Sequence, residues 1–199
     1  MLNSLFKYTK IYYITLISVF FFISIFFVPS IVDANVKIIQ TEGEYPWPVP
    51  TCHTISCGFG KRTSPTKGAS TYHKGIDIAG KPGEEFIAVM DGEITFAKFL
   101  GGGGYTLTLE NNKEYEGKIV NIKITYCHID PVYMVKLGDK VTKGQVIGKI
   151  GPKNVYGVAG NTYKDANGNP TNGATTGPHL HFGVRINGDY INPEILLSK

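Results

Sequence analysis

The chain has 199 residues, of which 42% are hydrophobic and 18% charged, and its formal net charge is +4. This balance supplies the core of one ordinary domain and excludes an extended disordered chain. The sequence contains no dense run of Lys and Arg, which argues against a nucleic-acid partner. Its 24 glycines and 11 prolines indicate many turns and favour a β-rich domain over a helical bundle.

The N-terminal segment differs from the rest of the chain. Residues 11–28 are uncharged and rich in Ile, Phe, Val and Leu, with Lys7 and Lys10 before them and no acidic residue before Asp33. Basic residues before an apolar run direct the following chain out of the cytoplasm. The run fits either a cleaved signal peptide or a retained membrane anchor, and we assign residues 1–34 to it. We therefore expect an extracytoplasmic protein, secreted to the cell wall or anchored on the outer face of the cytoplasmic membrane.

Beyond this segment the chain divides into a short polar linker, residues 35–46, and one domain, residues 47–199. Without residues 1–34 the 20 basic and 16 acidic residues become 18 and 15, a net charge of +3. A mild positive charge suits contact with an anionic cell wall. Short apolar runs alternate with Gly, Pro, Asn and Asp throughout the domain and show no helical period. They predict a mainly β, antiparallel, sandwich-like domain with few or no helices.

Several strands can be placed individually. Residues 86–90 and 93–99 predict a hairpin around Asp91-Gly92. A long strand ends at His128, with Val120, Ile122, Ile124, Tyr126 and His128 on one face because strand side chains alternate. Other strands are predicted over residues 105–110, 146–150 and 179–186, the last followed by an Asn187-Gly188-Asp189 turn.

The segment from Lys153 to Thr176 interrupts this rhythm and is rich in Gly, Asn, Thr and Tyr. Loops of this length in compact domains are commonly functional. Tyr156 and Tyr163 either face a ligand or hold the loop against its own domain, and the sequence leaves both alternatives open.

The three cysteines carry little catalytic signal. Cys52 and Cys57 either form a disulfide that closes a six-residue loop or remain reduced thiols, and no second pair completes a zinc knuckle. Cys127 lies in an apolar strand pattern and is expected to be a small core residue. On a strand it points away from His128, which argues against a cysteine protease.

Four of the five histidines occur in short polar patterns. His73 precedes Asp77 by four residues, His128 follows an apolar strand, and His179 and His181 lie on one strand face about 6.6 Å apart. Each pattern alone is weak, but together they offer the two His, one Asp and open position of a catalytic zinc site, with two histidines left for proton transfer. Cysteine is absent from the set, which disfavours soft metals. The chain has neither an H-E-x-x-H helix nor a G-x-S-x-G elbow.

From Trp47 to Leu197 the sequence resembles the lysostaphin/LytM-type zinc endopeptidases of bacterial cell walls. Six motifs in family order carry the resemblance: Gly58-Phe59-Gly60-Lys61-Arg62, His73-Lys74-Gly75-Ile76-Asp77-Ile78-Ala79, Asp91-Gly92-Glu93-Ile94, Tyr126-Cys127-His128, Lys143-Gly144-Gln145-Val146-Ile147-Gly148 and Thr176-Gly177-Pro178-His179-Leu180-His181-Phe182.

The resemblance implies an antiparallel β scaffold with its site in a groove between loops. By position it implies that His73, Asp77 and His181 bind Zn²⁺, and that His128 and His179 are the catalytic pair, without telling which of the two is the general base. The implied substrate is the cross-linking peptide of peptidoglycan. The alternative is a non-catalytic wall scaffold or an activator of other wall hydrolases on the same fold.

The sequence departs from the family pattern at three places, all outside the expected metal ligands. The segment before His73 is unusual, so Tyr72 is only a candidate for the tyrosine that some relatives place near the oxyanion. The loop from Lys153 to Thr176 is longer than typical, and the pair Cys52 and Cys57 is not part of the pattern. These departures bear on substrate specificity.

Overall fold

A computed structural model describes residues 36–198, so the predicted signal peptide or anchor lies outside the described residues. Among the described residues, no helix has the length and apolarity needed to span a membrane. The strands are β1 Ile55–Cys57, β2 Gly60–Lys61, β3 Tyr72–His73, β4 Ile76–Ala79, β5 Glu85–Ile87, β6 Gly92–Phe99, β7 Tyr105–Tyr115, β8 Lys118–Cys127, β9 Lys140–Val141, β10 Val146–Lys149, β11 His179–Ile186 and β12 Asp189–Ile191. Two 3-10 turns are Gly101–Gly103 and Pro193–Ile195.

Eight strands form one sheet in the order β1-β4-β11-β8-β7-β6-β9, with β12 also paired to β11. Strands β5 and β10 form a separate two-stranded ribbon, and so do β2 and β3. Each of these pairings is antiparallel. The expectation of a mainly β, antiparallel domain is confirmed.

One face of the large sheet forms the core. On β11, Leu180, Phe182 and Val184 are each 0% exposed. Tyr126 from β8 meets Phe182 edge-on at 5.4 Å between ring centroids, and Phe86 from the β5–β10 ribbon stacks on Tyr126 at 5.1 Å. The ribbon therefore covers the apolar face of the large sheet and produces the sandwich-like layering.

The predicted hairpin around Asp91-Gly92 is wrong. Strand β5 pairs with β10, whereas β6 pairs with β7 and β9. The N–H of Ala88 donates to the carbonyl of Gln145 at 2.8 Å, and the Asp91 carboxylate accepts from the N–H of Lys143 at 2.7 Å. The chain crosses here from the ribbon to the large sheet, because the residues before Asp91 are buried between the two layers.

The predicted last strand and its turn agree with the structure. Strand β11 spans residues 179–186, and its turn to β12 places Asn187 and Gly188 at φ 51° and 95°. The segment predicted as a linker lies along the domain: Ile39 N–H donates to Gly144 O at 2.8 Å, and Tyr45 is buried.

Candidate metal centre

The sheet register brings His181 and Asp77 together across 104 residues of sequence. His181 on β11 lies directly opposite Asp77 on β4, and His179 lies opposite Ala79. Directly paired residues of an antiparallel sheet share a face, and positions two apart along a strand also share it. Asp77, His179 and His181 therefore lie on the face opposite the core. His73 at the end of β3 completes the group.

A glycine allows the β3–β4 connection to approach β11. A Cβ atom added to Gly75 would lie 2.4 Å from the carbonyl oxygen of Phe182 and 2.9 Å from the imidazole of His181. Any side chain at this position would displace that ring or the backbone of β11. The glycine between His73 and Asp77 is thus required by the close packing of the centre.

Three donor atoms converge at the centre. His73 Nε2 lies 2.9 Å from His181 Nδ1 and 3.0 Å from Asp77 Oδ1, and these last two atoms are 2.9 Å apart. His73 Nδ1 lies 2.7 Å from the Gly58 carbonyl, which can only accept a hydrogen bond, so this neutral ring has its lone pair on Nε2. Ligands of tetrahedral zinc, each about 2.0–2.1 Å from the ion, lie about 3.3 Å apart. The three residues therefore fit a zinc ion with small outward shifts.

The electrostatics of Asp77 also suit a cation. Burial alone would raise the pKa of this carboxyl, but the imidazoles of His179, His181 and His73 around it outweigh burial and hold the pKa well below its usual range. Arg62 Nη1 lies 3.3 Å from Asp77 Oδ2 and faces the second carboxylate oxygen. Asp77 is thus an ionised, partly neutralised carboxylate with polar neighbours at both oxygens, an arrangement that suits a metal ligand.

Two further histidines face this centre with a free nitrogen each. His128 Nδ1 lies 2.7 Å from the carbonyl oxygen of Asn172, and His179 Nδ1 lies 2.9 Å from that of Gly177. Each neutral ring therefore donates from Nδ1 and carries its lone pair on Nε2. The ring centroids of His128 and His179 are 4.7 Å apart, and His179 Nε2 lies 3.5 Å from Asp77 Oδ1. Their free nitrogens can accept or deliver a proton beside the three donor atoms.

The prediction that His128 shares a strand face with Tyr126 is wrong. Strand β8 ends at Cys127, and His128 has φ 60°, a left-handed conformation that breaks the alternation. Tyr126 lies in the core, whereas Cys127 and His128 both line the cleft with His181. The expectation that Cys127 points away from His128 is wrong for the same reason.

Burial shifts the pKa values of His128 and Cys127 in opposite directions. Burial, followed by the charges of His179 and His181, lowers the pKa of His128 to about 3, so the ring is neutral at neutral pH and able to accept a proton. Burial raises the pKa of Cys127 to about 12 and keeps it a thiol. A protonated thiol is a poor nucleophile, which argues against cysteine protease chemistry despite the adjacent imidazole.

The cleft beside the centre has a volume of about 260 Å³ and is bounded by three loops. Tyr72 lines it and is 44% exposed, with its ring edge-on to Phe59 at 5.6 Å. Tyr163 packs against Gly68, where an added Cβ would lie 2.6 Å from the phenol ring. Tyr163 therefore holds the loop against its own domain, the second of the two alternatives given for it. Tyr156 is 69% exposed.

Sequence reasoning missed Asn172, which connects the long loop to His128 in the cleft. It is 0% exposed, and besides receiving the hydrogen bond from His128 it accepts from Tyr105 N–H at 2.8 Å and donates to Ile129 O at 2.9 Å. Gly104 must be glycine here, because a Cβ would lie 2.3 Å from Asn172. The contact to His128 uses a backbone carbonyl, so side-chain patterns gave no signal for it.

Sequence reasoning also gave Arg62 and Cys57 no role at the metal centre. Cys57 Sγ and one ligand atom each of His73 and Asp77 lie within 4.8 Å of one another, so Cys57 is a further potential metal ligand. Its sulfur, however, accepts a hydrogen bond from Arg62 at 3.1 Å, and His181 Nδ1 lies closer to the other two donors. We therefore favour His181 as the third donor. Cys52, Cys57 and Cys127 are free thiols in the structure.

Comparison with known proteins places this geometry in a family. The chain is 29% identical over 161 residues to the DD-carboxypeptidase/endopeptidase Mpg of Neisseria meningitidis, covering 81% of this chain and 31% of that protein. It is 29% identical over 122 residues to the murein hydrolase activator NlpD of Escherichia coli, covering 61% and 25%. The chain thus spans a third or less of the length of these curated relatives.

Two solved structures share the fold. A zinc-containing peptidase from Vibrio cholerae superposes with a TM-score of 0.56 at 27% identity, over 76% of this chain and 39% of that one. The catalytic domain of lysostaphin from Staphylococcus simulans superposes with a TM-score of 0.53 at 28% identity, over 72% and 91%. The family model for peptidase family M23 matches residues 71–193, more than half of the chain and all five polar residues of the centre. The chain therefore belongs to peptidase family M23.

Proposed function

We propose that the protein is a zinc-dependent endopeptidase that hydrolyses peptide cross-links of bacterial peptidoglycan outside the cytoplasm. The observation that carries the proposal is the convergence of His73 Nε2, Asp77 Oδ1 and His181 Nδ1 within 3.0 Å of one another, next to two histidines with free Nε2 atoms. Membership of peptidase family M23 and likeness to a zinc-containing peptidase support it.

In this proposal His73, Asp77 and His181 hold the zinc ion. When bound, zinc lowers the pKa of a water ligand towards neutrality and polarises the scissile carbonyl. Arg62 holds the free oxygen of Asp77, and the Gly58 carbonyl holds the ring of His73, so both ligands are oriented before the metal binds.

The two remaining histidines supply proton transfer. His128 is held by Asn172 and kept neutral by burial, and His179 is held by Gly177 with its Nε2 towards Asp77. One of the pair takes the proton of the attacking water and the other stabilises or protonates the leaving group. Because both rings are fixed through Nδ1, neither has to change tautomer to present Nε2 to the substrate.

Likeness to a protein named as a murein hydrolase activator makes a non-catalytic role the second candidate. An activator on this fold does not need a complete metal centre, whereas all five polar residues are present here and their donor atoms converge. This completeness favours the enzyme.

The test is mass spectrometry of the fragments released from purified peptidoglycan by the zinc-loaded protein. We expect new amino termini at one class of stem-peptide or bridge bond, and no release by the His128→Ala variant at matched concentration. Intact cross-links after prolonged incubation with protein that contains stoichiometric zinc would contradict the proposal and favour the activator.

A further inference from the structure

The polar face of the large sheet continues from the metal centre as the floor of a second cavity, about 590 Å³ in volume. Strand alternation that buries one set of side chains leaves the other set on this floor. The register places matching pairs side by side across β11 and β8: His181 with Cys127, Gly183 with Thr125, and Arg185 with Lys123.

The floor runs from the centre to a basic end. Arg185 lies four positions after His181 on the strand, about 13 Å away, a distance that an extended peptide covers in about four residues. Between them Gly183 has no side chain, and an added Cβ would lie 3.2 Å from Lys74 O and 3.6 Å from His181 Nε2. The glycine therefore lets the backbone of Lys74 lie close to this part of the strand.

At the basic end two cations share one aromatic ring. Lys74 Nζ lies 4.8 Å and Arg185 Cζ lies 5.2 Å from the ring centroid of Tyr190. Among residues 36–198, neither cation has a carboxylate oxygen within 4.0 Å. Arg185 Nε is buried and lacks a hydrogen-bond partner within the same part of the chain.

The acidic residue that lines this cavity does not neutralise the pair. Glu110 already binds Lys123 Nζ at 3.0 Å and Asn121 Nδ2 at 2.8 Å. The charge of Lys123 is therefore matched, whereas no carboxylate among residues 36–198 matches the charges of Lys74 and Arg185. An added anion would match them, and a guanidinium offers the paired donors that fit a carboxylate.

We propose that Lys74 and Arg185 form a carboxylate subsite that binds a free carboxylate of the substrate peptide about four residues from the scissile bond. The inference deepens the proposed function, on which it rests, and adds a substrate requirement: the peptide on this side of the cleavage point is anionic. Amidation of that carboxylate removes the charge and reduces recognition. The carboxylate is either the C-terminal group of a stem peptide or the side-chain group of one of its residues.

The experiment measures binding separately from hydrolysis. Calorimetric titration of the whole protein uses uncross-linked stem tetrapeptides in three forms: with both carboxylates free, with the C-terminus amidated, and with the side chain amidated. We expect one of the two amides to bind about ten-fold or more weakly than the free acid, the usual scale for a hydrogen bond to a charged group. Which amide loses affinity identifies the source of the carboxylate.

Variants assign the effect to residues. Arg185→Gln should remove the difference between acid and amide, and Arg185→Lys should restore part of it because charge returns without the paired donors. Lys74 is exposed, so Lys74→Gln tests the subsite without disturbing packing. Lys136→Gln is the matched control: Lys136 is exposed and does not line the cavity, and its replacement should leave the difference unchanged.

The outcomes separate this subsite from the proposed function. Equal affinity for acid and amides, in protein that cuts peptidoglycan, overturns the subsite alone. Equal weakening of acid and amides by Arg185→Gln and by Lys74→Gln indicates packing and also overturns it. Carboxylate-selective binding without any cutting supports the subsite and counts against the peptidase.

Discussion

The two faces of strand β11 differ: one packs in the apolar core, and the other carries two histidines of the metal centre. Leu180, Phe182 and Val184 on one face are 0% exposed and belong to the apolar core cluster. His179 and His181, which alternate with them in sequence, lie on the other face and are partly exposed with hydrogen bonds to polar groups. Since strand side chains alternate, a shift of one residue in register would exchange the two faces.

The residues that stabilise the fold and those that carry the chemistry are therefore separable within the eight residues of β11. Substitutions on the apolar face should lower the free energy of unfolding and leave the metal centre intact in the folded fraction. Substitutions on the polar face should abolish metal binding or lower the rate of hydrolysis, and leave most of the fold in place.

The largest effect is expected for Asp77→Asn, which keeps the shape of the side chain and removes its charge. Three histidine nitrogens then face a neutral amide, so we expect zinc loss and hydrolysis at background level. Metal analysis and wall digestion measure the two effects. Asp189→Asn, at an exposed turn residue, is the control and should change neither. Stoichiometric zinc in Asp77→Asn would contradict the assignment.

Phe182→Ala tests the apolar face. Removal of a fully buried ring that contacts Tyr126 should lower the free energy of unfolding by about 3–5 kcal/mol. Denaturant unfolding measures this loss, and metal analysis of the folded fraction should still find zinc. A loss below about 1 kcal/mol would show that the core does not depend on this face of β11.

His128→Ala should retain zinc and fold but lose roughly 10²-fold or more in rate, the usual scale for a general acid–base group. The ring contributes a proton-accepting nitrogen and is not among the three converging donors. Steady-state hydrolysis of a soluble cross-linked peptide measures the effect. His53→Ala is the matched control, because His53 packs against Trp47 and does not line the cleft. An unchanged rate for His128→Ala would remove this residue from the mechanism.

The smallest effect concerns the long loop and pH. Burial opposes ionisation of Asp165, but the backbone N–H of Asn169, the Asn154 amide and the Lys153 ammonium outweigh it and lower its pKa to about 2. A carboxyl with a folded pKa below its unfolded value stabilises above the unfolded value, about 3.9, and loses this effect as pH falls towards about 2. The protection of backbone amides in residues 153–172, measured relative to unstructured chain at the same pH, should therefore fall over that window, and Asp165→Asn should abolish this pH dependence of the protection. A loop equally protected at both ends of the window would contradict this role.

Much of the centre could be predicted from local sequence. Alternation alone puts His179 and His181 on one face, and the turn at Asn187 and Gly188 needs only the local residues. The pairing of His181 with Asp77 could not be derived that way, because β4 and β11 are far apart in sequence and their register depends on the whole sheet. Only the resemblance of the motifs to a known family predicted that these two residues lie together.

The failures have physical causes. Turn residues at Asp91-Gly92 are compatible with a hairpin and with a crossing between layers, and burial of the preceding residues decides between them. His128 escapes strand alternation through a left-handed backbone conformation that no pattern of apolar residues reports. The carbonyls of Gly58, Asn172 and Gly177 orient three histidines, and backbone groups leave no trace in side-chain patterns.

The most direct test is the zinc content of two variants on the same strand face, His179→Ala and His181→Ala. His181 Nδ1 lies 2.9 Å from both other donors, whereas His179 Nε2 lies 3.5 Å from Asp77 Oδ1 and points its lone pair towards the centre from outside the triad. Atomic spectrometry of protein purified without added metal should find close to one zinc per chain in His179→Ala and almost none in His181→Ala. Zinc retained in His181→Ala and lost from His179→Ala would contradict the account.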